Sequence, residues 1–172
     1  MLSLAGFLRR AREIKLIIID VDGVLTDGSI TYSEDGKEIK SFNVRDGFAI
    51  KRAEEKGIKT GIISGRKSTP VDKRAKELNM AFVIQGNENK KKAFYDTLNR
   101  FSCSPAEVCF IGDDLVDLPL IKKAGLGVTT ADAPRELIRA AHWVTSSPGG
   151  KGAVRELIEA ILKAQGKWGD KA

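Results

Sequence analysis

The stretch Lys15-Leu-Ile-Ile-Ile-Asp-Val-Asp-Gly23 decides the fold. Its apolar residues run on without alternation. A strand with one wet face would alternate polar and apolar residues, so Lys15–Val21 reads as a strand buried on both faces. Such strands belong to parallel sheets covered by helices. The run ends in Asp20 and Asp22, two carboxylates beside a hydrophobic core. In open parallel sheets, sites form beyond the carboxyl ends of the strands. A divalent cation with hard oxygen ligands would offset the cost of these charges. An Asx turn closing the strand, with Asp22-Gly23 as turn residues, is the simpler alternative.

Outward from this strand the same pattern repeats. Lys59–Ser64, Ala81–Gln85, Val108–Gly112 and Leu126–Thr129 read as further buried strands. Helical patterns separate them: Phe48–Lys56 ending at Gly57, Ser68–Leu78, Lys90–Phe101, Leu115–Ala124 ending at Gly125, Ala133–Ala140 and Gly152–Ala164. The alternation predicts an α/β fold, a Rossmann-like parallel sheet with helices on both faces. One segment departs from it. Ser29–Ser33 and Glu38–Val44 flank Glu34-Asp35-Gly36-Lys37, and Asp-Gly between two β-rich runs predicts a hairpin over about residues 28–44. Ile30, Tyr32, Ile39 and Phe42 give it an apolar face, which needs either its own domain or another copy as partner.

At 172 residues the chain has room for one domain. Its longest apolar runs are far short of the ~20 residues of a transmembrane helix. Residues 1–15 put their apolar stretch before Arg9-Arg10, the wrong order for a secretory signal. Cys103 and Cys109 form no metal pattern with the single His142, which points to a reduced, cytoplasmic setting and away from zinc. The net charge is +6, but the surplus is scattered and lacks the interleaved aromatic residues of a single-strand binder. Neither nucleic acid nor membrane is an expected partner. Gln165–Ala172 is polar and reads as a frayed tail, in which Trp168 is out of place.

Three further candidates sit at sheet-end loops. Gly112-Asp113-Asp114-Leu115-Val116-Asp117 puts three carboxylates at a strand-to-helix junction. Helix capping explains one or two of them. Two aspartate clusters on the ends of separate strands are harder to explain that way; if those strands are neighbours the carboxylates converge, and magnesium would hold them together. Ser64-Gly65-Arg66 offers a hydroxyl and loop amides to a phosphate oxygen, or a plain serine N-cap. Lys90 opens a lysine triplet at a helix start, where it opposes the dipole; it is either a ligand-neutralising group or part of a solvated run.

These residues, in this order, resemble the haloacid dehalogenase superfamily of phosphotransferases: DxDG at Asp20–Gly23, Ser64, a lysine, and GDDxxD at Gly112–Asp117. With Asn43-Val-Arg-Asp-Gly47 and Gly149-Gly-Lys-Gly-Ala-Val-Arg-Glu156, nearly the whole chain is similar to the branch acting on 3-deoxy-D-manno-octulosonate 8-phosphate, an eight-carbon sugar acid of lipopolysaccharide precursor synthesis. Phosphatases of nine-carbon sugar acid 9-phosphates are nearly as similar. The resemblance implies a phosphomonoesterase without a cap domain, assembled as a homotetramer whose hairpins meet at its centre. It implies that a tail over about residues 146–172 reaches a neighbour's site, with Arg155 contributing there. Asp20 would attack phosphorus. Asp22 would protonate the leaving sugar oxygen and then activate water. Ser64 and Lys90 would hold the phosphate. Asp20, the Asp22 backbone carbonyl and Asp113 would hold Mg2+, with Asp114 and Asp117 behind them. Asp22, Asn43, Val44, Arg45, Asp46, Gly47, Lys51, Arg66, Arg74 and Lys90 would meet the substrate. The chain departs from the branch at Val116, at Lys51 and at Asn87-Glu88-Asn89, and the last leaves Lys91 or Lys92 as alternatives to Lys90.

Overall fold

A computed structural model describes residues 2–169. Its elements run in chain order as α1 (Leu4–Glu13), β1 (Leu16–Ile19), β2 (Thr31–Tyr32), β3 (Glu38–Ile39), α2 (Val44–Glu55), β4 (Lys59–Ile63), α3 (Thr69–Glu77), β5 (Phe82–Ile84), α4 (Lys90–Phe101), β6 (Val108–Gly112), α5 (Leu118–Lys123), β7 (Leu126–Thr129), α6 (Arg135–Ala140), β8 (Trp143–Val144) and α7 (Ala153–Ala164). Six strands form one parallel sheet in the order β5-β4-β1-β6-β7-β8. The predicted class and the five predicted parallel strands are present, although the edge strand β5 is only partly buried.

β1 explains the two layers. All four of its residues are buried, and they alternate between two cores. Ile17 and Ile19 join the apolar faces of α1, α2, α3 and α7. Leu16 and Ile18 join Phe94, Leu98, Ile121 and Leu137 from α4, α5 and α6. A strand that feeds a core on each face cannot alternate in polarity, which is why the run is continuous. On α7, Val154, Leu157, Ile158, Ile161 and Leu162 are buried at helical spacing against the first of these cores. Among the described residues, no helix is long and apolar enough to cross a membrane.

The structure departs from the sequence reading at four places, two of them elements that the sequence did not indicate. First, the hairpin is shorter than predicted. β2 and β3 pair antiparallel through Thr31–Ile39 and Tyr32–Glu38, but the strand does not reach Val44. Instead α2 begins at Val44, four residues before the expected start at Phe48, because Asn43 caps it and its Oδ1 accepts from Arg45 N at 2.8 Å. Phe42 leaves the hairpin face and packs against the core. Second, residues 1–15 hold a helix: Ser3 caps α1, and Phe7 and Ala11, one turn apart, bury its inner face. Third, an added strand, β8, completes the sheet beside β7. Fourth, Trp168 does not fray. It meets Phe48 edge-on at 6.5 Å, and the Arg155 guanidinium lies over its ring at 4.5 Å. Residues 170–172 of the predicted tail lie outside the described residues.

Candidate active site

The β1, β4 and β6 strands are neighbours, so the loops at their carboxyl ends converge. A turn follows β1 at once: the Val21 carbonyl accepts from Val24, Leu25 and Thr26. Gly23 has φ +80°, and a Cβ there would collide with the Asp113 carboxylate. Glycine is what lets the β1 loop lie against the β6 loop. Asp20, Asp22, Ser64, Arg66, Lys90, Asp113 and Asp114 line one cavity of about 310 Å³ at this junction.

At its floor sits a buried charge cluster. Lys90 Nζ lies 3.0 Å from Asp20 Oδ2 and 2.7 Å from Asp117 Oδ1. Asp117 Oδ2 accepts from Asp113 N at 3.2 Å, so both of its oxygens are engaged. Burial works against the Lys90 ammonium, yet Asp20 and Asp117 outweigh it and hold its pKa above the ordinary value. Burial, then the charge of Asp117, push the Asp20 carboxyl well above the usual carboxylate range, although Lys90 pulls the other way. Burial, then Asp117 and Asp114, raise Asp113 to about 7. One lysine does not neutralise this cluster. Carboxylate oxygens of Asp20, Asp113 and Asp117 lie within 4.8 Å of one another. With Asp117 held by Lys90 and by a backbone amide, Asp20 and Asp113 are the oxygens left for a hard divalent cation. The donor set and its excess of negative charge fit such an ion.

Lys91 is exposed, and Lys92 pairs with Asp96 at 2.7 Å on the outside of α4, so of the triplet Lys90 is the one that reaches the cluster. Asp114 caps the short helical turn Leu115–Asp117, its Oδ1 accepting from Leu115 N at 2.7 Å.

The remaining predicted residues lie elsewhere in a single chain. Asn43, Val44 and Arg45 line a separate cavity with Gly150 and Lys151. Asp46 is buried and accepts from Arg155 N at 2.7 Å, which ties α2 to the start of α7. Gly47 faces Arg74, whose guanidinium lies 6.0 Å from the Phe42 ring centre, and Lys51 is exposed on α2. Arg155 packs between Phe48 and Trp168 and bonds Glu159 at 2.9 Å.

Two residues of the site escaped the sequence reading. Lys40 and Glu38, on the hairpin, reach Asp22 and Arg66. Lys40 Nζ pairs with Asp22 Oδ1 and lies 3.3 Å from Glu38 Oε1. Arg66 NH2 lies 2.7 Å from Glu38 Oε1, and its Nε 3.6 Å from Asp22 Oδ2. The signal for both was the alternation Glu38-Ile39-Lys40, which sends the two charges to the face opposite exposed Ile39.

Known proteins match this arrangement. A profile of haloacid dehalogenase-like hydrolases fits residues 80–157. The 3-deoxy-D-manno-octulosonate 8-phosphate phosphatase of Escherichia coli K12 is 45% identical over 163 residues, covering 95% of this chain and 87% of that one. This chain belongs to that phosphatase family. The family's solved structures superpose closely. The Yersinia pestis 3-deoxy-D-manno-octulosonate 8-phosphate phosphatase has a TM-score of 0.93 at 42% identity, over 95% of this chain and 88% of that one. The Moraxella catarrhalis 3-deoxy-D-manno-octulosonate 8-phosphate phosphatase, in complex with a magnesium ion, a phosphate ion and a KDO molecule, has a TM-score of 0.94 at 38% identity, over 96% of this chain and 95% of that one. Within the family, then, this chain is a phosphatase on a mostly parallel α/β scaffold.

Proposed function

We propose that the chain hydrolyses 3-deoxy-D-manno-octulosonate 8-phosphate through a phosphate ester on Asp20, in the cytoplasmic synthesis of a lipopolysaccharide precursor. One observation carries the reading: Asp20 lies at the end of β1 in a cavity shared with Ser64 and Lys90, beside carboxylates that one lysine leaves under-neutralised. Asp20 attacks phosphorus, and the ester oxygen leaves on the opposite side. Ser64 and Lys90 hold the phosphate oxygens and take up charge that develops on them. Asp22 sits at the mouth of the same cavity. It gives a proton to the departing sugar oxygen, then accepts one from the water that cleaves the aspartyl-phosphate. Mg2+, held by Asp20, Asp113 and the Asp22 backbone carbonyl, would neutralise the phosphate and the acid cluster together. The product sugar acid and magnesium in the Moraxella catarrhalis complex support both assignments.

Arg66 is the guanidinium nearest this cavity and suits the substrate carboxylate. Asn43–Gly47, Lys51 and Arg74 lie outside the cavity within one chain. We assign them to substrate through a homotetramer built on the hairpins, where Ile30, Tyr32 and Ile39 are each half or more exposed.

The test is release of phosphate from the eight-carbon substrate, compared with six- and nine-carbon sugar phosphates, with and without Mg2+. Preference for the eight-carbon ester and loss of activity in Asp20→Asn are expected. Comparable turnover of all three overturns the specificity; full activity in Asp20→Asn overturns the mechanism. Sedimentation of a monomer overturns the assembly.

A further inference from the structure

The hairpin closes a ring of charges with two residues of the candidate site. Asp22, Lys40, Glu38 and Arg66 alternate in sign and close on themselves: Asp22 to Lys40, Lys40 to Glu38 at 3.3 Å, Glu38 to Arg66 at 2.7 Å, and Arg66 to Asp22 at 3.6 Å. The two cations differ in burial. The Arg66 side chain is 44% exposed, whereas that of Lys40 is 1% exposed. Lys40 also lies on a hairpin whose strands are two residues each. Burying an ammonium there costs desolvation that so small an element does little to offset. The compensation comes from Asp22 and Glu38.

The geometry points to Lys40 as a positioning residue for Asp22. Lys40 grips Oδ1 from the closed side, and Arg66 approaches Oδ2 from the open side. A substrate carboxylate drawn to Arg66 takes that guanidinium out of the ring. Lys40 then keeps the Asp22 carboxyl aimed at the ester oxygen. Glu38 holds Lys40 in turn, so the hairpin, through its own charges, sets the geometry of a proton transfer in the sheet-end loops. A misplacement of about 1 Å at such a group costs on the order of 100-fold in rate.

This inference rests on the proposed role of Asp22, and the experiment separates the two. Rapid-quench measurement of the first turnover is made on two esters with magnesium present. One is 3-deoxy-D-manno-octulosonate 8-phosphate, whose alkoxide leaving group needs a proton. The other is p-nitrophenyl phosphate, whose phenolate does not. In Lys40→Met the ratio of sugar-ester to aryl-ester rate falls about tenfold or more, within the range that positioned acid catalysis supplies. The fall is in kcat rather than KM, and Lys40→Arg recovers most of it. Equal losses on both esters, or a loss confined to KM, overturn the inference. Asp22→Asn is run beside it. If that variant keeps the ratio, the reading of Asp22 itself fails. If Asp22→Asn collapses the ratio and Lys40→Met does not, only the role of Lys40 fails. Circular dichroism checks folding, and Lys40→Gln carries the same comparison should Lys40→Met not fold.

Discussion

Replacing Lys90 by methionine tests the charge cluster directly. The side chain is 9% exposed and is held between Asp20 at 3.0 Å and Asp117 at 2.7 Å, themselves almost wholly buried. Removing one partner from a buried ion pair costs about 3–5 kcal/mol, because the remaining charge is stranded. Part of that is recovered here. The Asp20 carboxyl is already pushed up by burial and by Asp117, and Asp113 to about 7, so in the variant protons bind the cluster readily near neutral pH. The lower end of the range, about 3 kcal/mol, is therefore the expected loss at pH 7.5 without metal. At about 2–4 °C per kcal/mol for a chain of this size, the melting temperature drops by about 6–12 °C. The deficit narrows at pH 5.5, where the carboxyls carry less charge. It narrows also on adding Mg2+, which binds only the folded cluster and brings charge of the missing sign. Calorimetry or urea unfolding at the two pH values, with and without metal, gives all of these quantities. A melting shift below about 2 °C at pH 7.5 refutes the reasoning. So does a deficit of the same size under all conditions, since a mere packing defect would behave that way.

The metal-free wild type should itself lose stability as pH rises from about 4 to about 7. Asp20 and Asp113 have folded pKa values raised to about 7, above the ordinary ~3.9 of an aspartate in an unfolded chain, so the folded state binds more protons than the unfolded one across that window. Unfolding free energy measured across the window with a chelator, then with Mg2+, should show a decline that the metal flattens; a metal-free rise would contradict the cluster. Asp20→Asn removes one of the crowded charges, so it should abolish phosphate release yet melt no lower than the wild type without metal. Asp46→Ala should act on stability first: it removes the acceptor of the Arg155 amide bond at the start of α7 and costs on the order of 1 kcal/mol, read by denaturant midpoint. Gly149→Ala would drive a Cβ into the Gly23 carbonyl, so the 146–152 loop or the loop bearing Asp22 must shift, and turnover should fall more than the melting temperature does.

Much of the fold was legible because its strongest signals are local. Continuous apolar strands, helix-ending glycines and the Asp-Gly turn all lie within short windows. The misses were also local in cause. α1 buries only Phe7 and Ala11, too thin a stripe to register beside its charges. β8 has two residues and exists because β7 offers it an edge. The extra turn of α2 rests on Asn43, whose capping bond competes with a β-rich run that read as strand. In the tail, Trp168 is ordered by Arg155 and Phe48, neither of them near it in sequence.

The site divides along the same line. Asp20, Ser64, Lys90 and Asp113 were found because each ends a strand or opens a helix, where topology alone brings the ends of β1, β4 and β6 together. Lys40 and Glu38 sit on an element outside the sheet: their alternation with Ile39 puts them on one face, but does not say which way that face of a two-residue strand leans. Charge supplies the answer. Asp22 and Arg66 at the sheet ends leave one anion and one cation half-exposed, and the hairpin brings the complementary pair. The hairpin is therefore oriented twice: by Glu38 and Lys40 toward the site, with Tyr32 opposite Glu38 on that same face, and by half-exposed Ile39 on the other. Among the described residues the hairpin thus covers the Asp22 side of the cavity with one face and leaves the other exposed. Perturbing either face should then reach the other. Ile39→Ser, which weakens the outer face, should lower the assembly state and also the sugar-ester to aryl-ester rate ratio that Lys40 sets. Dissociation with an unchanged ratio would show that the two faces act independently.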